Sequence, residues 1–163
     1  NTMLHEYDKA WAKYQNGLNT LALPLTCWEF YNFPRAEEKE FNNIQTLWSE
    51  KVNFAKTKKN QDLAILVTDA NLKIVFASSN IMLMNGYDYK EITGKSPRMF
   101  QGELTSLESR KNIKIAVEKK LAFKQNVINY KKNGETYICQ IEAYPKFDKN
   151  GNFVNYIAFE TAA

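Results

Sequence analysis

The hydrophobic residues follow two different spacings, and the change between them falls near residue 60. In residues 4–15 the apolar positions recur at close to helical spacing, which predicts a short helix. Pro34 then opens a longer stretch, residues 35–59, that contains neither Gly nor Pro. Its apolar residues recur at helical spacing and predict one continuous helix with these residues on one face: Phe41, Ile44, Trp48, Val52 and Ala55.

After residue 60 the apolar residues occur in short β-rich runs that are bounded by turn formers. Two runs at residues 62–69 and 73–78 are separated by a short connection and predict a β-hairpin. The Asn133-Gly134 pair separates two later runs, because Asn and Gly tolerate the positive φ of a tight turn. The three strands predicted at the C-terminal end are residues 123–132, 135–147 and 152–161.

One longer helix is predicted between the two groups of strands. Thr105 followed by Glu108 has the pattern of a capping box, in which Thr105 caps the helix and Glu108 reaches back. The apolar face of this helix carries Ile113, Val117 and Leu121.

The order of these elements predicts an α+β fold, with a five-stranded antiparallel sheet flanked by helices. The chain has 163 residues, which is enough for one domain and an appendage. We therefore expect a sheet domain over residues 61–163 and an N-terminal helical extension over residues 1–60.

Charge and cysteine content indicate the kind of surface the protein has and the compartment in which it occurs. The net charge of +4 comes from scattered lysines, which favours a solvated surface over a nucleic-acid interface. No apolar run is long enough to cross a bilayer in this segment, and no signal peptide opens it. Cys27 and Cys139 lie far apart without a metal-binding motif, so we expect reduced cysteines and a cytoplasmic protein.

Two stretches of the second part resemble the PAS family. Ser78-Ser79-Asn80, leading into residues 81–87, is similar to the asparagine that opens a short helix in that family. Residues 94–102, Gly-Lys-Ser-Pro-Arg-Met-Phe-Gln-Gly, resemble the Gly-x-Asn-Cys-Arg-Phe-Leu-Gln signature of LOV domains, the flavin-binding photoreceptor branch of PAS. The resemblance covers about the last hundred residues and implies a PAS-like sheet that binds a ligand or a partner.

Departures from the LOV pattern change what the resemblance implies about cofactors. Pro97 stands where LOV domains have the cysteine that attacks the flavin, which excludes the photochemical adduct. Ser96, Cys139 and Glu160 replace two asparagines and a glutamine that contact the flavin ring, which argues against flavin. The only histidine, His5, lies outside the domain, which argues against haem. The ligand is therefore unassigned.

The candidate ligand-binding residues follow from this resemblance, and each has a structural alternative. Met82 and Met84 would roof the PAS pocket or pack in the core. Arg98 and Gln101 match positions that contact the phosphate or ribityl end of flavin, or they tie down their own loop. Asn129 matches a ring-contacting asparagine or faces solvent. The complete set is Met82, Met84, Ser96, Arg98, Gln101, Asn129, Cys139 and Glu160.

The sequence shows no catalytic constellation, and we expect no enzyme. We expect a bacterial, cytoplasmic PAS sensor in signal transduction that binds a small ligand or a protein partner. The alternatives are a flavin-binding domain without adduct chemistry and a pure dimerisation scaffold. A homodimer is expected through the 35–59 helix and the sheet, with Trp48 and Phe41 in the contact; the alternative is that both pack within the monomer. The sequence identifies neither the ligand nor an output domain.

Overall fold

The computed structural model describes the backbone of residues 27–163 and the side chains from residue 36 onward. The helix predicted over residues 4–15 and His5 lie outside the described residues. The chain divides into two units, Asn1–Pro34 and Arg35–Ala163. Within the described part of the chain, no helix combines the length and the apolar character needed to cross a membrane.

Five antiparallel strands form one sheet, as the sequence predicted. Their order in the sheet is β2-β1-β5-β4-β3. The strands are β1 (Leu63–Thr68), β2 (Ile74–Ala77), β3 (Phe123–Tyr130), β4 (Thr136–Phe147) and β5 (Phe153–Ala162). The helices are α1 (Cys27–Ile44), α2 (Phe54–Thr57), α3 (Asn80–Asn85), α4 (Tyr89–Ile92) and α5 (Leu107–Glu118). Two short 3₁₀ helices, Gln45–Leu47 and Pro97–Phe100, complete the elements.

The turns between the C-terminal strands form where the sequence predicted them. Gly134 has a φ of +88° and Gly151 a φ of +82°, a conformation that favours glycine. The Asp148 carboxylate accepts hydrogen bonds from the backbone N–H groups of Asn150 and Asn152, both at 2.8 Å. These local bonds fix the connection and therefore the register of β4 against β5.

One face of the sheet is covered by residues that precede β1. Phe41, Trp48 and Phe54 form a buried cluster with sheet residues, and Phe41 is fully buried. Their strand partners are Ile65, Val67, Phe76 and Ile157. Because aromatic side chains bury large apolar areas, this segment contributes to the core of the domain. Trp48 and Phe41 therefore pack within one chain, which is the alternative to the dimer contact considered above.

The continuous helix predicted over residues 35–59 is wrong. The helix begins at Cys27, includes Pro34 and ends at Ile44, where the chain turns through Gln45–Leu47 into an extended Trp48. The Trp48 indole N–H donates to Asn155 Oδ1 at 2.7 Å.

The hydrogen bond between Trp48 and Asn155 is a tertiary contact, and tertiary contacts outweigh helix propensity here. The Gln45 side chain also accepts a hydrogen bond from the backbone N–H of Val52 at 2.8 Å, which holds the chain in a loop after the turn. Asn53 then caps α2 by accepting from the backbone N–H of Lys56. As a result Phe54 is buried, whereas Ala55, which was predicted on the apolar face, is exposed.

The cap predicted for the longer helix is also wrong by one residue. Ser106 caps α5 by accepting from the backbone N–H of Ser109, so no capping box involving Thr105 and Glu108 forms. The Thr105 hydroxyl instead donates to the carbonyl of Ile128 at 2.6 Å and accepts from the N–H of Gly102. Thr105 is thus used to fasten the start of α5 to β3.

The second face of the sheet packs against the short helices. Ile81 of α3, Ile92 of α4 and Phe100 of the 3₁₀ helix are buried with residues of β1 and β2. An Asp88–Glu91 capping box starts α4, and Gly86 ends α3 with a φ of +80°. These elements leave a gap between the sheet and α5.

Candidate functional site

A cavity of about 560 Å³ lies between the sheet and α5. Residues of β1, β4 and β5 form its floor, α5 supplies one wall, and the Pro97–Phe100 turn supplies another. A volume of this size is typical of sites for small organic ligands.

The floor of the cavity is largely apolar. Its apolar residues on the strands are Leu66, Ile141, Ala143 and Ala158, and Ile113 and Val117 of α5 lie opposite. Thr68 pairs with Tyr156, and Glu160 lies four residues further along β5. A strand rises about 3.3 Å per residue, so Tyr156 and Glu160 mark points about 13 Å apart. The floor thus has an apolar middle with polar groups at its two ends.

Positive charge is concentrated on the opposite wall. Arg98 of the turn and Arg110, Lys111 and Lys114 of α5 line the cavity, and Glu118 is the one acidic residue of α5 that lines it with them. Glu118 forms an exposed ion pair with Lys114 at 3.7 Å. Arg110 donates a hydrogen bond to the carbonyl of Gly102, which holds its guanidinium against the turn. This wall is suited to an anionic group.

Glu160 is a buried carboxyl in the cavity wall, with 3% of its surface exposed. Its hydrogen-bond partner is the Cys139 thiol, which donates to Oε2 at 3.6 Å. Burial raises the pKa of Glu160 to about 7, and the bond from Cys139 acts in the opposite direction. Glu160 therefore titrates near neutral pH.

Several buried polar atoms have no hydrogen-bond partner among the described residues. The Thr68 hydroxyl is one of them, and Thr68 also lines the cavity. The others are Asn85 Nδ2, Asn129 Oδ1 and the Tyr137 hydroxyl. Burial raises the pKa values of both the Tyr137 hydroxyl and the Cys139 thiol. Since unpaired buried polar atoms are costly, these groups are available to bind polar atoms of a ligand or water.

The structure brings half of the predicted site residues to the cavity. Ser96, Arg98, Gln101 and Glu160 line it. The backbones of Gln101 and Asn129 are joined by an isolated bridge.

The other four predicted site residues do not line the cavity. Asn129 and Cys139 are buried in the neighbouring strands. Met84 packs against the cluster of Ile81, Ile92 and Phe100, whereas Met82 is 56% exposed. The predicted roof of methionines is therefore not part of this cavity.

Sequence reasoning missed the basic residues of α5. Arg110 and Lys114 lie four positions apart, and Ile113 and Val117 occupy the neighbouring positions of the same face. This spacing puts charged and apolar groups together on the side of α5 that lines the cavity. The spacing of Arg110 and Lys114 relative to Ile113 and Val117 is the sequence signal that could have found them.

Among the side chains of residues 36–163, no three His, Cys, Asp or Glu groups lie close enough together to hold a metal ion. The apolar floor and the basic wall give the cavity the composition of a binding site for an organic molecule.

Comparison with known protein families identifies the family to which this chain belongs. The PAS domain model matches residues 62–161, which is more than half of the chain. The chain belongs to the PAS domain family, the class of sensory signalling modules that this sheet and cavity define.

Similar proteins include a protein with LOV in its name and a blue-light-activated histidine kinase. Protein TWIN LOV 1 of Arabidopsis thaliana is 28% identical over 128 residues, which cover 76% of this chain and 31% of that protein. The blue-light-activated histidine kinase of Brucella canis is 28% identical over 99 residues, covering 59% of this chain and 20% of the kinase. The chain thus spans about a third or less of these relatives.

Solved structures that are similar to this chain include domains of the LOV branch. The dark structure of the Aureochrome1 LOV domain has a TM-score of 0.63 and 25% identity, and covers 71% of this chain and 86% of that domain. A LOV domain studied with a flavin analogue has a TM-score of 0.64 at 23% identity, covering 69% of this chain and 86% of its own, and supports the fold. The LOV-like branch is therefore supported.

Proposed function

We propose that this domain is a non-catalytic sensor that binds a small amphipathic molecule in the cavity between the sheet and α5. The observation that carries the proposal is the cavity itself, with its apolar floor and basic wall. The apolar body of the ligand would lie on Leu66 and Ala158, and its anionic group would meet Arg98 and Arg110. Burial of the apolar body supplies affinity, and the charged wall sets orientation.

The sheet lies between the cavity and the segment that precedes β1, because adjacent residues of a strand face opposite sides of the sheet. Leu66 and Ala158 line the cavity, whereas their neighbours Ile65 and Ile157 pack against Phe41, Trp48 and Phe54 on the other face. A ligand that shifts β1 or β5 would thus change the packing of this segment. We propose that the signal passes through the sheet in this way as a shift between two populated arrangements.

Three further contacts join α1 to the short helices and their caps. Glu37 accepts a hydrogen bond from the backbone N–H of Ser79 at 2.6 Å and pairs with Lys58. The Tyr89 hydroxyl donates to Glu40 at 2.7 Å. The described part of α1 therefore contacts both the sheet and the elements that lead to the Pro97–Phe100 turn, which supports its role as the relay.

The test is to fill the cavity and ask whether a bound molecule is lost. Ala158→Trp places a large ring over the floor, and Ala70→Trp, in an exposed turn, is the matched control. Purified proteins are denatured and the released small molecules are measured by mass spectrometry. We expect a molecule from wild type and Ala70→Trp that is absent from Ala158→Trp. Equal amounts from all three proteins would contradict binding in this cavity.

Flavin is the second candidate, supported by the LOV relatives and by specific residues of this chain. The Thr68 hydroxyl lines the cavity, is buried without a partner and can accept from a ring N–H, while Arg98 and Arg110 can hold a phosphate. Bound flavin would supply absorption of blue light. Pro97, in the cavity wall, offers no sulfur for a covalent bond at that position. Protein that stays colourless after incubation with flavin mononucleotide would refute this candidate.

The remaining expectations stay predictions. A scaffold without a ligand would show no molecule in the release experiment and no change on filling the cavity. For the homodimer, Ile128, Ile138 and Tyr144 are exposed on the sheet and would supply the contact, since Trp48 is buried. The cytoplasmic location and the bacterial origin likewise stay predictions.

A further inference from the structure

Glu160 has an unusual position for a carboxyl group. It is 3% exposed, lines an apolar cavity, and has the Cys139 thiol as its hydrogen-bond partner. A thiol is a weak donor, so it compensates a buried negative charge poorly. A buried carboxylate without strong donors is costly, and the neutral acid is the favoured form.

The charged and titratable groups around Glu160 do not reverse this preference. Its strand neighbours, Ala64 on β1 and Ile141 on β4, are apolar. The charged or titratable groups that line the cavity with it are Arg98, Arg110, Lys111, Lys114, Glu118 and Tyr156, and those on β4 are Tyr137, Cys139, Glu142, Tyr144 and Lys146. Despite the four cations, burial dominates and holds the pKa of Glu160 near 7.

We propose that Glu160 is the specificity-determining residue of the cavity: as a neutral acid it donates a hydrogen bond to the ligand. The cavity therefore selects molecules that present a carbonyl oxygen or an unprotonated ring nitrogen at this end of the floor. Ionised Glu160 has no proton to donate and repels such acceptors, so the ligand is released as the carboxyl ionises. This inference rests on the proposed ligand-binding function.

The size of the effect follows from the fraction of neutral Glu160. With a pKa of about 7, roughly nine-tenths of the carboxyl is neutral at pH 6 and one-tenth at pH 8. The apparent dissociation constant varies inversely with the competent fraction. Affinity is therefore expected to fall about tenfold between these two pH values.

The first arm of the test reads Glu160 directly and needs no ligand. Glutamate side chains are labelled with carbon-13, and their carboxyl signals are followed from pH 4 to pH 9. Glu160 is assigned by the signal missing in Glu160→Gln, and exposed Glu103→Gln is the control. We expect the Glu160 signal to titrate near neutral pH. Titration in the range of an exposed carboxyl overturns the proposal whatever the protein binds.

The second arm uses riboflavin, which carries carbonyl and ring-nitrogen acceptors and does not change charge between pH 6 and pH 8. Binding is measured by fluorescence for wild type, Glu160→Gln and Glu103→Gln. The amide introduced by Glu160→Gln can donate at every pH, so binding by this variant should not depend on pH. Wild type and Glu103→Gln should bind about tenfold more weakly at pH 8 than at pH 6.

The outcomes distinguish a failure of the role of Glu160 from a failure of the proposed ligand binding. Equal riboflavin affinity of wild type at both pH values overturns the role of Glu160, although ligand binding itself stands. If no protein binds riboflavin while Glu160 titrates near neutral pH, the neutral acid is supported and flavin is removed as the ligand.

Discussion

Replacing Glu160 by glutamine is expected to make the protein more stable at alkaline pH. The pKa of this carboxyl is raised from 4.5, its value when exposed, to about 7 in the folded protein. A group whose pKa is raised by folding adds to stability while it is protonated in both states. That contribution is lost as the pH rises from about 4.5 to about 7 and stays lost above that range.

The magnitude follows from the shift. A difference of about 2.5 pKa units, taken between 4.5 and about 7, corresponds to roughly 3 kcal/mol at about 1.4 kcal/mol per unit. This is a large share of the free energy of unfolding of a small domain. Glutamine does not ionise, so Glu160→Gln should lack this loss.

The assay is urea unfolding followed by tryptophan fluorescence at pH 4.5, 6 and 8. We expect Glu160→Gln to exceed wild type by roughly 3 kcal/mol at pH 8, with most of that difference absent at pH 4.5. Exposed Glu103→Gln serves as the control and should follow wild type. A difference between Glu160→Gln and wild type that does not change with pH would refute the assignment of Glu160 as a neutral acid.

Three further predictions concern packing and association. Trp48→Phe should lower the free energy of unfolding by about 1–2 kcal/mol because Asn155 loses its hydrogen bond from the indole; an unchanged urea midpoint would contradict this. Gly102→Ala places a methyl group 2.8 Å from Tyr130 Cδ2 and should cost about 1–3 kcal/mol, measured by urea unfolding; the cost should shrink in a Tyr130→Ala background. Ile138→Lys should reduce the mass measured by light scattering if the sheet forms a homodimer, and an unchanged dimer mass would exclude that contact.

The strands were the most predictable part of the fold. Their predicted limits differ from the observed ones by at most two residues, because short apolar runs and turn formers mark them locally. Gly134 has the left-handed conformation that the Asn133-Gly134 pair indicated. The information needed for these elements lies within a few residues of each one.

The segment before β1 was less predictable because distant contacts shape it. The spacing from Phe41 to Val52 fits a helix, but Trp48 is held by Asn155, which lies 107 positions away in the sequence. No local pattern shows that partner. The same limitation applies to Ala55 and Phe54, whose burial depends on where the broken helix resumes.

The site residues could be predicted where one short motif contains them. They could not be predicted where side chains from several elements meet at the cavity. Ser96, Arg98 and Gln101 belong to one turn and reach the cavity together. Glu160 could face either side, because β5 is buried on both faces and its alternation is weak. Arg110 reaches the cavity only through the packing of α5, which the sequence does not specify.

The central claim is that a small molecule occupies the cavity between the sheet and α5. The most direct measurement is a crystal structure of the protein as purified, with electron density calculated before any ligand is built. The account predicts density over Leu66 and Ala158, with polar contacts to Thr68 and Glu160. A cavity closed by rearranged side chains, or holding only water, would contradict it.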